Sequence, residues 1–361
     1  MAAALKGKLA GPKTFDSSEP ITLRFQLTNQ TDHDIYVLKW FTPLEGLNSD
    51  CLVVKRNGKT KVRYDGPMVK RGKPNNEDFL FVPAGKTIEA EFDLSESYAV
   101  SRPARYQVEL NVAELAHQLA KPSSKKLKGA FARARPATQS LSGGKSQFKV
   151  VAGDSQKATR GQIARKADRL ATIATSAIAK SPQRKPKPKK SGAAKSAATP
   201  LPPNIIGGTA TQKNQTTAAH GDGFQLCQNA SASLANDSQY AEWFGTHSDT
   251  RFAKVKAVYS KINDRMTAET FSCDLSGKGC PSGAFAYTYK KSSTIWFCKG
   301  FWAAPTTGTD SKAGTVVHEH SHSDANTDDL AYGQDGARQL AKDSADKAVR
   351  NADNFEYYAG G

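Results

Sequence analysis

Between residues 314 and 333 of this 361-residue chain, His318, Glu319 and His322 stand in the spacing His-Glu-x-x-His. On a helix, positions four apart share a face, so both imidazoles can reach one metal ion while Glu319 takes a proton from a metal-bound water. The chemistry this suits is zinc-assisted hydrolysis. His320, between them, points elsewhere. A hydrolytic zinc site takes a third protein ligand and keeps one position open. Asp324, Asp328 and Asp329 are the candidates just downstream, and spacing alone does not choose among them. Further on, Asp353 and Glu356 stand three apart. On a helix their carboxylates share a face, which either attracts a cation or forms an ordinary solvated helix end.

The stretch 301–358 resembles the aspzincin metallopeptidases, the family of deuterolysin and the peptidyl-Lys metalloendopeptidases. The resemblance is carried by Phe301-Trp302, Ala304-Pro305-Thr306-Thr307-Gly308-Thr309-Asp310 and His318-Glu319-x-x-His322. It continues in Thr327-x-Asp329-x-x-Tyr332-Gly333-Gln334, Asp346-Lys347-Ala348-Val349 and Asn351-Ala352-Asp353-Asn354. It implies a zincin-like fold, one zinc ion per chain and endopeptidase activity. It also implies that Asp329 is the third ligand and that Tyr332 stabilises the oxyanion. Asp353 and Glu356 would then bind the ammonium group of a substrate lysine, so that proteins and peptides are cut on the amino side of lysine. Asn326 stands where the family usually has glycine. Asparagine tolerates the left-handed backbone, so the loop carrying Asp329 can still turn. Two other readings are a broad-specificity, deuterolysin-like protease and a surface-binding or delivery protein with a vestigial metal site.

These residues need a scaffold, and residues 213–361 should supply a mainly helical one with a small β element. Helical periodicity fits 223–236 and 250–265, strands fit 285–289 and 294–297, and after the histidine-bearing helix further helices fit 335–343 and 345–358. Cys227, Cys273, Cys280 and Cys298 fall in this part without any Cys-x-x-Cys, which favours disulfides and an oxidising compartment. The resemblance implies the pairs Cys227 with Cys273 and Cys280 with Cys298. Cys51 is left as a small apolar core residue.

Residues 1–152 read as an all-β domain. Ile21, Leu23, Phe25 and Leu27 alternate with other residues, and Asn57-Gly58 marks a tight hairpin. Further strands fit 79–82, 87–94, 106–112 and 147–151, which together suggest an immunoglobulin-like sandwich with 121–144 as a long basic loop. No catalytic constellation stands out in it, so folding assistance, inhibition or attachment is its expected role.

The net charge of +17 is unevenly spread. Residues 152–210 carry 12 Lys and Arg against 2 Asp, whereas 211–361 carry 15 against 17. Residues 153–212 are therefore expected to be a disordered basic linker, with a short amphipathic helix at 162–178. A soluble tether is the expectation, with no nucleic-acid partner, no transmembrane segment and a monomeric chain. The N-terminus shows no apolar run of signal-peptide length, although the cysteines point to secretion. A lysine-directed peptidase beside a lysine-rich linker should mature itself. Cuts are expected first within 184–195 and finally between Gln212 and Lys213, with the N-terminal domain and linker as the enzyme's own substrates and partners.

Overall fold

The computed structural model describes residues 4–119, 137–153 and 199–360. They divide into two compact units, and the short segment Gly279–Tyr289 folds with the first. The predicted helix at 162–178 and the linker up to residue 198 lie outside the described residues.

The first unit is β-rich. Its strands are β1 (Leu5–Ala10), β2 (Thr14–Asp16), β3 (Thr22–Asn29), β4 (Ile35–Leu38), β5 (Leu52–Arg56), β6 (Thr60–Val62), β7 (Met68–Arg71), β8 (Phe79–Val82), β9 (Thr87–Asp93), β10 (Ala104–Leu119) and β11 (Ala137–Val151). One sheet runs β1-β3-β9; another runs β2-β11-β10-β4-β8, with β5 attached to β10 and β6 to β5. The period-two alternation predicted for β3 holds, since Ile21, Leu23, Phe25 and Leu27 are buried with Val54, Val108, Phe148 and Val150 in one apolar cluster. Asn57 and Gly58 both take positive φ, 51° and 71°, and turn β5 into β6 as their side chains predict. The predicted loop at 121–144 is shorter than expected, because residues 137–144 are already strand in β11. They pair antiparallel with β10, which the polar and glycine-rich sequence there concealed.

In the second unit β12 (Asn204–Ile206), β13 (Ser272–Asp274) and β15 (Thr294–Phe297) form a parallel ladder in that order. The strand between the last two in sequence, β14 (Ala284–Thr288), pairs with β7 in the first unit. The helices are α1 (Ala210–Ser233), α2 (Ser238–Phe244), α3 (Asp249–Ala268), α4 (Lys299–Ala303), α5 (Lys312–Ala325), α6 (Gly333–Asp343), α7 (Ala345–Ala348) and α8 (Ala352–Tyr358). α5 is central, packed by α1, α3 and α8. Gly223 allows the approach of α1, since a Cβ there would lie 2.8 Å from Val316 on α5.

Two expectations are corrected here. α1 begins at Ala210, well before residue 223, because Thr209 accepts from the Gln212 amide and the Gln212 side chain accepts from the Thr209 amide. This capping box puts the Gln212–Lys213 bond in the first turn of a helix, closed to a cleft that takes extended chain. Residues 199–212 are thus folded, with Leu201 bonded to Met266 and β12 in the ladder, so the Gln212–Lys213 bond lies in a helix and not in an extended linker. The second correction concerns cysteines. Cys280 and Cys298 are disulfide-bonded, but Cys227 and Cys273 are free buried thiols, as is Cys51. Cys227 lies on α1, where its carbonyl accepts from Asn263 of α3, whereas Cys273 sits inside the β13 ladder. Burial pushes the Cys273 thiol up to about 12 and that of Cys227 up as well.

Candidate metal centre and active site

The helix α5 is built to hold its side chains still. Ser311 caps it by accepting from the Gly314 amide at 2.9 Å, and all residues from Lys312 to Ser323 are buried. It ends at Asn326, which takes the left-handed conformation (φ 62°) and returns its N–H to His322 and Ser321, as expected for an asparagine replacing glycine.

On one face of this helix the Nε2 atoms of His318 and His322 lie 3.0 Å apart. Asp329 Oδ1 stands 3.2 Å from the first and 3.1 Å from the second. All three side chains are buried. The other ring nitrogens face acceptors: His322 Nδ1 meets the Thr327 carbonyl at 3.0 Å, and His318 Nδ1 meets Asp353 Oδ1 at 2.8 Å. Donation from each Nδ1–H leaves each Nε2 as a lone pair. Two nitrogen lone pairs and a carboxylate oxygen then converge with no proton between them, an arrangement that a cation satisfies, and two imidazoles with one carboxylate suit zinc. The electrostatics report the anionic surroundings: without a metal a proton on His318 takes the place of the cation that would displace it. Burial works to lower the His318 pKa, but hydrogen bonds to Asp329, Asp353 and Glu356 outweigh it and hold it well above the usual imidazole value. Burial likewise works to raise the Asp329 pKa, and His322 and His318 outweigh that to hold it low.

The two other aspartates considered are already engaged elsewhere. Asp324 accepts from Arg265 at 2.8 Å and faces His320 Nδ1 at 2.9 Å on the opposite side of α5. There His220 lies 5.7 Å from His320, and burial followed by the His320 charge lowers its pKa to about 3, which keeps it neutral. Asp328 binds Lys290 and Arg350. Glu319 is buried on α5 next to His318, and Tyr332 ends the loop from Asp329. Asp353 and Glu356 do share a face of α8, both fully buried, and they gather at His318: Glu356 Oε2 lies 3.4 Å from its Nδ1. The second oxygen of Asp353 accepts from the Gly333 amide at 2.6 Å.

The sequence reading missed two features of this arrangement. One is the bond from Asp353 to a candidate ligand; the other is Asn351. Its Oδ1 accepts from the Leu330 and Ala331 amides at 2.7 and 3.1 Å, and its Nδ2 donates to Ala331 O and to Asn354 Oδ1. Asn351 thus ties down the loop between Asp329 and Tyr332. A fully buried polar residue opening α8 was the available signal, visible as the run Asn351-Ala352-Asp353-Asn354. Asn351→Ala should strand these amides at a cost of about 1–3 kcal/mol each where no water replaces the bond. The expected result is a lower urea midpoint together with weaker zinc binding; Asn351→Asp, which keeps the acceptor, should restore part of both. Unchanged zinc affinity in the alanine variant would rule out the positioning role.

The comparisons with known proteins bear on this geometry. Residues 229–360 match the family model described as lysine-specific metallo-endopeptidase, of the aspzincins. An extracellular protease from Aeromonas hydrophila is 31% identical over 352 residues, covering 95% of this chain and 88% of that protein. The chain belongs to the aspzincin family. It is therefore a metalloendopeptidase. Among other aspzincins, a peptidyl-Lys metalloendopeptidase from Grifola frondosa is 44% identical over 125 residues, 34% of this chain and 35% of that one. Another from Pleurotus ostreatus is 36% identical over 163 residues, 43% of this chain and 95% of that one. A solved zinc peptidase from Grifola frondosa aligns with a TM-score of 0.40 and 36% identity, covering 42% of this aspzincin and 96% of the other. Among the described residues no helix is long and apolar enough to cross a membrane.

Proposed function

We propose that this aspzincin is a secreted precursor of a lysine-directed zinc endopeptidase, with one zinc ion held by His318, His322 and Asp329. The observation that carries the metal assignment is the convergence of three buried acceptor atoms whose histidines donate outward to Thr327 and Asp353. When bound, zinc supplies Lewis acidity, enough to make water a nucleophile near neutral pH and to polarise a carbonyl. Glu319 takes the proton of the attacking water and delivers it to the leaving amine. Tyr332 donates its phenolic hydrogen to the oxyanion. The extracellular relative supports export, and linker lysines within 184–195 are the proposed sites of self-processing.

For specificity, the lysine ammonium is assigned to the Asp353 and Glu356 carboxylates, which share a buried face of α8. Digestion of a denatured protein should yield new N-termini beginning with lysine. Glu356→Gln should reduce that preference by the worth of a charge-assisted contact, about 1.5–3 kcal/mol, with zinc content unchanged. Lysine at background frequency among the new N-termini would place the enzyme with broad-specificity proteases, an outcome that the commitment of Asp353 to His318 would then explain.

A further inference from the structure

The two sheets formed within the β-rich unit carry charge on their solvent faces in opposite ways. On β1-β3-β9 the charges answer one another across strands. Arg24 pairs with Glu91 at 2.8 Å and with Glu89 at 3.6 Å, and Gln26 donates to Glu89 at 2.5 Å. On the other sheet like charges meet. Arg105 of β10 stands directly opposite Lys149 of β11, and Lys55 of β5 directly opposite Lys61 of β6. They alternate with the buried Tyr106, Phe148, Val54 and Val62, so all four share the outward face. None of the four has an ion pair among the described residues. Glu109 on the same face already lies 3.5 Å from Lys145.

Directly opposed like charges destabilise a strand pair. Lysines that protect a sheet from aggregation belong on its edges, yet β10 is flanked by β11 and β5, and β11 by β10 and β2. The cations are also arranged in rows. One row starts at Lys13, whose carbonyl accepts from the Lys149 amide at 2.9 Å, and continues through Lys149 and Arg105. It ends at Asn57, whose side chain accepts from the Arg105 amide at 3.1 Å. The next row runs Gln147, Gln107, Lys55 and Lys61 across four strands. Lys13, Lys149, Arg105, Asn57, Gln107 and Gln147 line a shallow groove of about 550 Å³. The rings beneath it, Tyr106 and Phe148, are buried, so a nucleobase finds no stacking platform there and a lipid surface no apolar anchor. Cations set beside side-chain amides match a polymer that bears both anionic groups and hydroxyls.

We propose that this face binds an anionic polysaccharide. Its carboxylate or sulfate groups lie on Arg105, Lys149, Lys55 and Lys61, and its hydroxyls on Gln107 and Gln147. Bound anions relieve the like-charge pairs, and the β-rich unit attaches the chain to a charged glycan.

The test uses the full chain with Glu319→Gln, so that the linker stays whole. The probes are a fluorescent heparin oligosaccharide and a fluorescent oligogalacturonate, read by anisotropy in about 0.15 M salt. At least one should bind, and which one does tells sulfate from carboxylate. Arg105→Gln with Lys149→Gln, and separately Lys55→Gln with Lys61→Gln, should each weaken that binding by about tenfold or more. Either pair serves if thermal melting shows the other unfolded. The control, Lys187→Gln with Lys189→Gln, removes as much charge from the linker and should change affinity less than about threefold, since exposed charges away from the site are screened. Equal losses in face and linker variants would reduce the effect to bulk charge and overturn the site. Binding of neither glycan would overturn it too. Tighter binding of duplex DNA or of phosphatidylglycerol vesicles, lost in the face variants, would give the face to a nucleic acid or a membrane instead.

Discussion

Glu319→Gln should bind zinc as the wild type does and hydrolyse peptides on the order of 10²–10⁴-fold more slowly, the usual worth of a positioned general base. The amide keeps the shape of the side chain in a buried helical position and leaves His318, His322 and Asp329 in place, so fold and metal should survive. Zinc content by mass spectrometry and kcat on a lysine peptide check this together. The same variant should also keep its linker whole on prolonged incubation with zinc. A zinc-loaded variant that still cleaves within tenfold of wild type would remove Glu319 from the reaction, and equal linker processing in both forms would assign those cuts to another protease.

The second large effect concerns metal retention across four aspartates. Asp329→Ala deletes one of three converging acceptors and should release zinc under conditions where the wild type is saturated. Asp353→Ala leaves the proposed ligands but takes the acceptor from His318 Nδ1, and loss of such an outer partner commonly costs about 10–100-fold in metal affinity. Asp328→Ala and Asp324→Ala should retain zinc, since these carboxylates bind Lys290, Arg350 and Arg265. Competition with a chelator ranks all four. Loss of zinc from Asp328→Ala with retention in Asp329→Ala would shift the ligand assignment by one residue.

The parts of this molecule governed by local periodicity were legible in the sequence. His318 and His322 share a helix face because a turn is 3.6 residues, and β3 buries alternate residues because strands repeat every two. What escaped depended on partners distant in the chain. Gly223 reads as a weak point in a helix, yet it marks where α1 comes close to Val316, nearly a hundred residues on. Asp324, Asp328 and Asp329 are equivalent as a spacing pattern, and only Arg265, Lys290 and Arg350 tell them apart. The start of α1 was a different kind of miss, because Thr209 and Gln212 carried a readable local signal that the linker-like composition around them obscured.

The dependence of the centre on α8 has a consequence for biosynthesis. Asp353, Glu356 and the loop-holding Asn351 come after every other element of the site in the chain, and α5 lacks the acceptor for His318 until they arrive. Domains form from the N-terminus onward as a chain emerges. The β-rich unit, the linker and most of the peptidase helices are therefore made before the metal centre can be completed. Under the lysine-directed reading proposed above, this order of segments keeps the chain's own lysines from a finished active site until synthesis is nearly complete.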